Sequence, residues 1–562
     1  MYPLILKISR LQCLVFLLFL GMNSFAFSSS GAASAEEVNR PKLTILIGVD
    51  QFPAIYLEQY NSIFTGGFRR IIDEGLWYKA GIVDHAPTVS LAGHTTLATG
   101  SNPRRHGITA NEWIAPGAAD ENGRYRATVP HVDYDSHVVG IENSIGFSRH
   151  NILVPTIADW FRTNDPNART VSLSVTPLAV LYGNKPSSDR SDNHIYWLGG
   201  NGKFVTSTYY RDDYPGWLDK FNQKIAGKYL GGLTWKNTVP TEFQGLARQD
   251  VVPYEHDGVH TSFPHLAAEQ SNLKGPALKN WWFGRYSPLQ NDALFDMAKE
   301  SISQLKLGQR SSADFLSLAV KLTDRIGHDF GPQSLEQMDV IFRLDILLGD
   351  FMRYLDETVG KTNYVIAISA DHGAPNVSEY EQAEGRDALR ISSGDIEQSL
   401  KGVETLIENH KGADNLLPGL IAARLEQEPF ISRAMTAAEL QNQTSDDPII
   451  QAFSNSYIPD RVWTYPLWAR TNVYGQRVTR FHPALHGVVV DVAYQANLWT
   501  ASSTHGSAYQ YDREVPILFF GQGVAPRLTD ETAYTRDIAP TLAALSGVRV
   551  LGEIDGKILG TQ

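Results

Sequence analysis

The sequence predicts an α/β fold in which helices flank a central, mostly parallel sheet. Short apolar runs alternate with segments of helical periodicity, which is the pattern of that class. The runs lack polar alternation, as expected for strands that are buried on both faces. Of the 562 residues, 43% are hydrophobic and 20% are charged. This is ordinary globular usage and argues against extensive disorder.

The first 35 residues have the features of a secretory signal peptide. Lys7 and Arg10 precede the apolar stretch Leu11 to Met22, which is short for a membrane span, and Ala33-Ser34-Ala35 resembles a cleavage site. An uncleaved membrane anchor is the alternative. Cleavage would remove Cys13, the single cysteine, so the mature chain would have no disulfide. We therefore predict a periplasmic or secreted protein without a stable membrane anchor.

Five apolar runs are predicted to form strands of the sheet. Each has the length of a strand and is too short for a typical helix. The runs are Leu43–Val49, Val171–Val175, Phe315–Val320, Tyr364–Ser369 and Val515–Phe520.

A long helix is predicted between the third and fourth of these strands, from Ser334 to Gly360. Apolar residues from Leu335 to Leu355 recur at helical spacing. Ser334 and Gln337 fit a capping box at its start, and Gly360 fits a C-cap at its end.

Two regions interrupt the alternation of strands and helices. Residues 190–290 are rich in Tyr, Trp, Gly and Pro, whereas residues 375–485 are polar and only weakly helical in pattern. We interpret both as cap-like insertions on a single catalytic domain that spans residues 36–562.

The charge balance excludes one class of partner. Lys and Arg number 49 against 61 Asp and Glu, a net charge of −12, and basic residues form no run. A nucleic-acid polymer is therefore not an expected partner.

Acidic residues and histidines follow three of the predicted strands. Asp50, Asp324 and Asp371 come after separate strands, His328 lies four positions after Asp324, and His372 directly follows Asp371. Ligands of open α/β sheets bind beyond the carboxyl ends of the strands. One such Asp is usually a turn residue or a helix cap, but carboxylates and imidazoles that meet from separate strands are typical of a metal site. Two ions at such a site would suit phosphoryl transfer.

Ser90 is the candidate nucleophile. It precedes a segment of small residues that ends at Thr99-Gly100 and would place it at the N-terminus of a helix. In isolation such a serine is most often an N-cap. Alternatively, its hydroxyl points to the metal ions from a position that favours an anion, with a pKa lowered by coordination.

Several motifs along the chain resemble those of a known family. They are Gly48-Val49-Asp50; Ser90 with His94; His106-Gly107-Ile108 with Asn111 and Trp113; Thr206-Ser207-Thr208-Tyr209-Tyr210 with Pro215 and Trp217; Thr323-Asp324 with Gly327-His328 and Gly331-Pro332; Ala370-Asp371-His372-Gly373-Ala374; and Ser503-Thr504-His505-Gly506 before Val515-Pro516. With them the chain resembles the alkaline phosphatase superfamily, in the branch of phosphate-irrepressible alkaline phosphatases and nucleotide pyrophosphatase/phosphodiesterases. The resemblance runs from about Leu43 to about Leu551 and implies an alkaline phosphatase-like fold.

The resemblance also implies a site with two Zn²⁺ ions and a small phosphoester as substrate. One zinc would be held by Asp324, His328 and His505, and the other by Asp50, Asp371 and His372. His505 enters only through the resemblance, because a lone His before Gly is normally a loop residue. Asn111 falls where the family places an amide that binds a phosphoryl oxygen.

Two positions depart from the pattern of this branch. The nucleophile is usually threonine, whereas the aligned residue here is Ser90; Thr88 is the alternative if the register slips by two residues. Monoesterases of the branch carry a Lys-x-Arg pair where this chain has Ser174 and Thr176. Two missing cations should weaken binding of a monoester dianion more than that of a diester. We therefore predict a preference for phosphodiesters.

Three other functions are alternatives to this one. A sulfatase needs Pro and Arg two and four residues after the nucleophile, where this chain has Ala92 and His94, so that reading is rejected. An alkaline phosphatase acting on monoesters is the main alternative, and a catalytically silent phosphate-binding protein is a remote one. The sequence leaves the oligomeric state and the leaving group open.

Overall fold

A nine-stranded sheet forms the centre of the described part of the chain. Its order is β5-β4-β3-β6-β1-β7-β8-β2-β9, and seven strands run in one direction while β5 and β8 run in the other. The mostly parallel sheet is therefore confirmed. In chain order the strands are β1 (Leu43–Val49), β2 (Leu76–Tyr78), β3 (Thr170–Ser174), β4 (His194–Leu198), β5 (Phe204–Val205), β6 (Asp314–Val320), β7 (Tyr364–Ser369), β8 (Ile517–Gly521) and β9 (Arg527–Thr529).

The computed structural model describes residues 39–561 apart from residues 118, 120, 122–124, 188–189, 256–257, 270–271, 443, 464–476 and 479–481. The predicted signal peptide, residues 1–35, lies outside this range. Within the range, no helix has both the length and the apolar character needed to cross a membrane.

Helices cover both faces of the sheet. Ile45 and Ile47 of β1 belong to one hydrophobic cluster with residues of α9 and α11, whereas Leu46 belongs to another with residues of α5 and α18. The helices are α1 (Ile55–Gln59), α2 (Gly67–Glu74), α3 (Ser90–Thr99), α4 (Pro103–His106), α5 (Ile157–Asn164), α6 (Ala179–Tyr182), α7 (Gly216–Lys228), α8 (Gly275–Arg285), α9 (Leu289–Leu305), α10 (Leu322–Phe330), α11 (Leu335–Thr358), α12 (Ser378–Ala383), α13 (Ser393–Asn409), α14 (Leu417–Leu425), α15 (Ala437–Gln441), α16 (Pro448–Ser454), α17 (Gln510–Arg513) and α18 (Ile538–Leu545).

The predicted strands lie within two residues of the observed ones. β1 and β7 have the predicted bounds, and β3 and β6 each begin one residue earlier. β8 begins at Ile517 rather than Val515, because Pro516 has no N–H to donate to a neighbouring strand.

The predicted long helix is α11. The residue that ends it was predicted correctly, whereas the capping box predicted at its start is only half formed. Gly360, at φ +94°, donates its N–H to Leu355 O, as expected for a residue that ends a helix. Ser334 Oγ accepts from Gln337 N at 3.0 Å, but the reciprocal bond of a capping box is absent. The N–H of Ser334 instead donates to Gly331 O, so this half of the prediction was wrong.

The two predicted insertions have different structures. Residues 194–205 within the first of them form β4 and β5, the outer strands of the main sheet. The second contains α12 to α16, which pack on short strand pairs such as Ile431–Met435 with Val489–Val492. Their function as a cap stays a prediction.

Candidate active site

The carboxyl ends of β6, β1 and β7 lie side by side, because these strands are adjacent and parallel. Asp50 directly follows β1, and Asp371 and His372 follow β7 after one intervening residue. Asp324 lies in the first turn of α10, the helix that follows β6. The three predicted carboxylates are therefore brought to one edge of the sheet.

Two triads of side chains converge at this edge. In each triad, one potential ligand atom from every residue lies within 4.8 Å of the others. The first triad is Asp324, His328 and His505; the second is Asp50, Asp371 and His372. The triads adjoin, since the rings of His372 and His505 stack with centroids 3.6 Å apart.

The three imidazoles of the triads are held in one orientation. Each uses Nδ1 for a hydrogen bond to a backbone carbonyl, which leaves Nε2 facing the carboxylates: His328 to Ser503 O at 2.7 Å, His372 to Gly373 O at 2.9 Å and His505 to Thr88 O at 2.7 Å. Such bonds fix the tautomer of metal-binding histidines.

Unsatisfied carboxylate oxygens lie in both triads. Asp371 Oδ1 accepts from the backbone N–H groups of Gln51 and His372 at 3.1 and 3.0 Å. Asp371 Oδ2 and Asp324 Oδ1 are buried without a hydrogen-bond donor. A buried carboxylate oxygen without a donor is costly, and a cation would satisfy it. This set of oxygen and imidazole donors fits zinc.

The electrostatics of the triads also favour a cation. Burial and the charge of Asp50 raise the pKa of the Asp371 carboxyl well above its usual range. Burial and the charge of Asp324 oppose ionisation of Asp50, but the ammonium of Lys321 and the contact with His94 together outweigh them and hold the pKa of Asp50 at about 2. Burial lowers the pKa of His372 well below its usual value, so the ring is neutral, as metal ligation requires.

Ser90 is the first residue of α3 and faces the second triad. The N-cap of α3 is Val89, so Ser90 does not cap the helix. Its Oγ lies 3.3 Å from Asp50 Oδ1 and 3.4 Å from His372 Nε2. The hydroxyl thus lies where the nucleophile is predicted.

Thr88 makes different contacts. Its Oγ1 donates to Ser507 O at 2.8 Å and lies 3.4 Å from Asp512 Oδ2. These contacts hold the hydroxyl against residues 507–512, and so they favour Ser90 over Thr88 as the nucleophile.

Asn111 is positioned against the start of α3. Its side-chain Oδ1 accepts from Leu91 N at 2.9 Å, and the residue is exposed. Because its oxygen is already engaged, the side-chain NH₂ is the group left for a ligand.

The position of His505 depends on contacts from distant parts of the chain. Arg390 donates to the carbonyls of Leu498, Ala501 and Ser502 at 2.8–2.9 Å, and thereby fixes the segment that leads to His505. On the other side, Asp512 Oδ2 accepts from the N–H groups of residues 506 and 507 at 3.0 and 2.8 Å. His505 follows no predicted strand, which explains why spacing alone could not find it.

The sequence-based prediction missed two residues of the site. Lys321 Nζ donates to Asp50 Oδ2 at 2.7 Å and to Ser90 Oγ at 3.1 Å. His94 Nε2 lies 3.2 Å from Asp50 Oδ2, and its Nδ1 lies 2.6 Å from Tyr182 Oη. A lysine directly after a buried central strand was the available signal for Lys321.

Comparisons with known proteins identify the family of this chain. A family model described as "Type I phosphodiesterase / nucleotide pyrophosphatase" matches residues 44–465. The chain belongs to this family and is a metal-dependent phosphoric ester hydrolase. An enzyme is therefore favoured over the silent binding protein.

The chain is similar along nearly its whole length to two bacterial alkaline phosphatases. It is 29% identical over 546 residues to alkaline phosphatase PhoV of Synechococcus elongatus, which covers 93% of each chain. It is 28% identical over 547 residues to alkaline phosphatase PafA of Elizabethkingia meningoseptica, covering 94% of this chain and 95% of that protein. The crystal structure of wild-type PafA matches with a TM-score of 0.79 at 25% identity, over 92% of this chain and 98% of that one. The predicted fold is thereby confirmed.

Proposed function

We propose that this chain is an exported, zinc-dependent phosphoester hydrolase that acts through a covalent phosphoserine at Ser90. The observation that carries the proposal is the position of Ser90 Oγ beside two convergent triads, 3.3 Å from Asp50 Oδ1 and 3.4 Å from His372 Nε2. The signal peptide predicted at residues 1–35 supports export to the periplasm or medium.

The two triads would each hold one Zn²⁺, with ligands Asp324, His328 and His505 in one and Asp50, Asp371 and His372 in the other. Their buried, unsatisfied oxygens and oriented Nε2 atoms support this assignment. When bound, zinc would supply Lewis acidity that lowers the pKa of a hydroxyl and offsets charge on the phosphoryl group.

The reaction then has two displacements at phosphorus. Ser90 Oγ bonds to phosphorus as its proton passes to solvent, and the bond to the leaving alcohol breaks; the alcohol oxygen keeps the electron pair and takes a proton. Water then bonds to the same phosphorus, the bond to Ser90 Oγ breaks, and the serine regains a proton. The side-chain NH₂ of Asn111, whose oxygen is engaged by Leu91 N, would donate to a phosphoryl oxygen during both steps.

Two substrate classes remain as candidates, each favoured by one observation. Ser174 and Thr176 are neutral where monoesterases of the branch carry two cations, and Ser174 Oγ is committed to Ala319 O at 2.9 Å, which favours diesters. The relatives PhoV and PafA are named alkaline phosphatases, which favours monoesters.

A direct test is to trap the intermediate. The purified mature protein, incubated with 4-nitrophenyl phosphate or its bis ester and quenched in acid, should yield a peptide in which Ser90 carries a phosphoryl group from the monoester or a 4-nitrophenyl phosphoryl group from the bis ester. Release of nitrophenol should stop when zinc is chelated and return when zinc is restored. Phosphate on another residue, or turnover that resists chelation, would contradict the proposal.

A further inference from the structure

Lys321 follows β6, the strand that pairs with β3, and β3 ends where the cations are missing. β6 and β3 pair in parallel as far as Ala319 and Ser174, and Lys321 and Thr176 each lie two residues beyond that pair, after the strands have ended. A hydrogen bond from Ser174 Oγ to Ala319 O also joins the two strands at their last paired residues. The segment that follows β6 therefore carries a cation, whereas the segment that follows β3 has none at Thr176.

The contacts of Lys321 leave both triads free to bind metal. Its Nζ is bonded to the Oδ2 atoms of Asp50 and Asp324, at 2.7 and 2.6 Å. The Oδ1 atoms of the same two residues face their own triads instead: Asp324 Oδ1 lies 3.3 and 3.5 Å from two Nε2 atoms, and Asp50 Oδ1 lies 3.5 Å from one. Each carboxylate thus uses one oxygen for its triad and the other for the lysine.

Lys321 is also within reach of the phosphoryl group. Its Nζ lies 3.1 Å from Ser90 Oγ, the atom that would bond to phosphorus. The nonbridging oxygens of the phosphoryl group are one covalent bond from the phosphorus. An ammonium 3.1 Å from Ser90 Oγ can therefore donate a hydrogen bond to one of these oxygens. The side chain is 16% exposed, which limits the competing water.

We propose that Lys321 is a specificity-determining residue that binds a nonbridging phosphoryl oxygen, in place of the cation pair absent at Ser174 and Thr176. The inference rests on the proposed function and names phosphomonoesters as the substrate class that benefits. A monoester dianion has an additional charged oxygen for the ammonium, whereas a diester carries a carbon substituent there.

The first experiment compares substrates in a Lys321→Met variant. The value of kcat/KM for 4-nitrophenyl phosphate should fall about ten- to a hundredfold, whereas that for the bis ester should fall much less. Zinc content should stay unchanged. Lys299→Met is the matched control, because Lys299 lies on α9 near the ring of Tyr354 and its loss should alter neither substrate. An equal fall for both esters, or no fall, would overturn the inference.

A second variant, Thr176→Arg, retains Lys321. Its result in the wild-type background therefore does not depend on whether Lys321→Met folds. If Lys321 already supplies the cation, Thr176→Arg should improve monoester turnover little in the wild-type background, but should restore it when combined with Lys321→Met. A large gain in the wild-type background would show that the oxygen lacks a cation and would overturn the inference.

Binding of inorganic phosphate separates this inference from the proposed function. If the wild-type protein hydrolyses neither ester, the proposed function fails, and calorimetry with phosphate still tests Lys321. Weaker binding in Lys321→Met than in Lys299→Met would support the contact, and equal binding would overturn it.

Discussion

The candidate metal centre and a second buried cluster on the flank of α11 both contain several carboxylates, but their oxygens are used differently. The second cluster, here called the acidic cluster, comprises Asp250, Glu255 and Glu336 with Arg248 and His265. Arg248 Nη2 bonds to Glu255 Oε1 at 2.8 Å, and His265 Nε2 lies 2.9 Å from Glu336 Oε1. Within the described residues, three ligand atoms converge within 4.8 Å in the two triads and not in the acidic cluster.

The two regions also differ in charge. Burial and the charge of Glu336 raise the pKa of Glu255 to about 9, and burial raises that of Glu336 to about 8. Protons therefore neutralise Glu255 and Glu336, whereas in the candidate metal centre the pKa of Asp371 is also raised but Lys321 and His94 keep Asp50 ionised. The difference shows that buried acids alone do not mark a metal site. In the candidate metal centre, free carboxylate oxygens and oriented imidazoles converge, and this combination indicates a metal site.

Loss of the proposed nucleophile, Ser90, should have the largest effect on activity. The acidic cluster contains no corresponding residue. Ser90→Ala should lower kcat by roughly a thousandfold or more, since the covalent step is lost. Zinc content and thermal stability should remain near those of the wild type. Residual turnover above about a tenth of the wild-type rate would assign the role to another residue.

Removal of a carboxylate from the metal centre should rank next. Asp324→Asn should lower zinc content and activity together, because one anionic ligand of the first triad is lost. Metal analysis of the purified variant measures this. The matched control is Asp329→Asn on the same helix, whose side chain pairs with Arg285 instead and whose loss should leave zinc in place. Equal zinc in both variants would show that Asp324 is not a ligand.

Asn111 tests the donor side of the site. Asn111→Asp keeps an oxygen that can accept from Leu91 N but replaces the donor NH₂ by a negative charge. We expect kcat/KM to fall about ten- to a hundredfold, at least as much as in Asn111→Ala. If Asp works as well as Asn, the residue only holds the start of α3.

The smallest effect is expected in the acidic cluster, where the readout is stability. The folded-state pKa of Glu336, about 8, lies above its ordinary value of 4.5, so the folded protein keeps a proton that the unfolded chain releases between these values. Stability should therefore fall as pH rises from about 5 to 8, on the order of 1 kcal/mol per pH unit for this group.

Glu336→Gln should reduce that dependence. The melting temperature of the variant should fall by a few degrees less over the same pH range, with zinc content and activity unchanged. Identical slopes for the variant and the wild type would show that Glu336 is ionised in the folded protein.

The sequence by itself determined five of the nine strands of the sheet and five of the six proposed ligands. Continuous apolar runs identify strands that are buried on both faces, and the carboxyl ends of adjacent parallel strands must meet at one edge. Asp50, Asp324, Asp371 and His372 could therefore be placed together from local pattern alone, and His328 follows from helical spacing with Asp324.

Only the tertiary structure decided the positions of His505 and Lys321. His505 lies in a segment that is held by two hydrogen-bonding side chains. Arg390 bonds to Ser502 O, 112 positions away, and Asp512 bonds to Gly506 N across a loop. Local periodicity in the sequence does not report such contacts. For Lys321, the sequence predicts a position at the end of a strand but does not predict which residues lie next to its side chain. Its contacts with Asp50 and Ser90 join residues 271 and 231 positions apart and depend on the order of strands in the sheet.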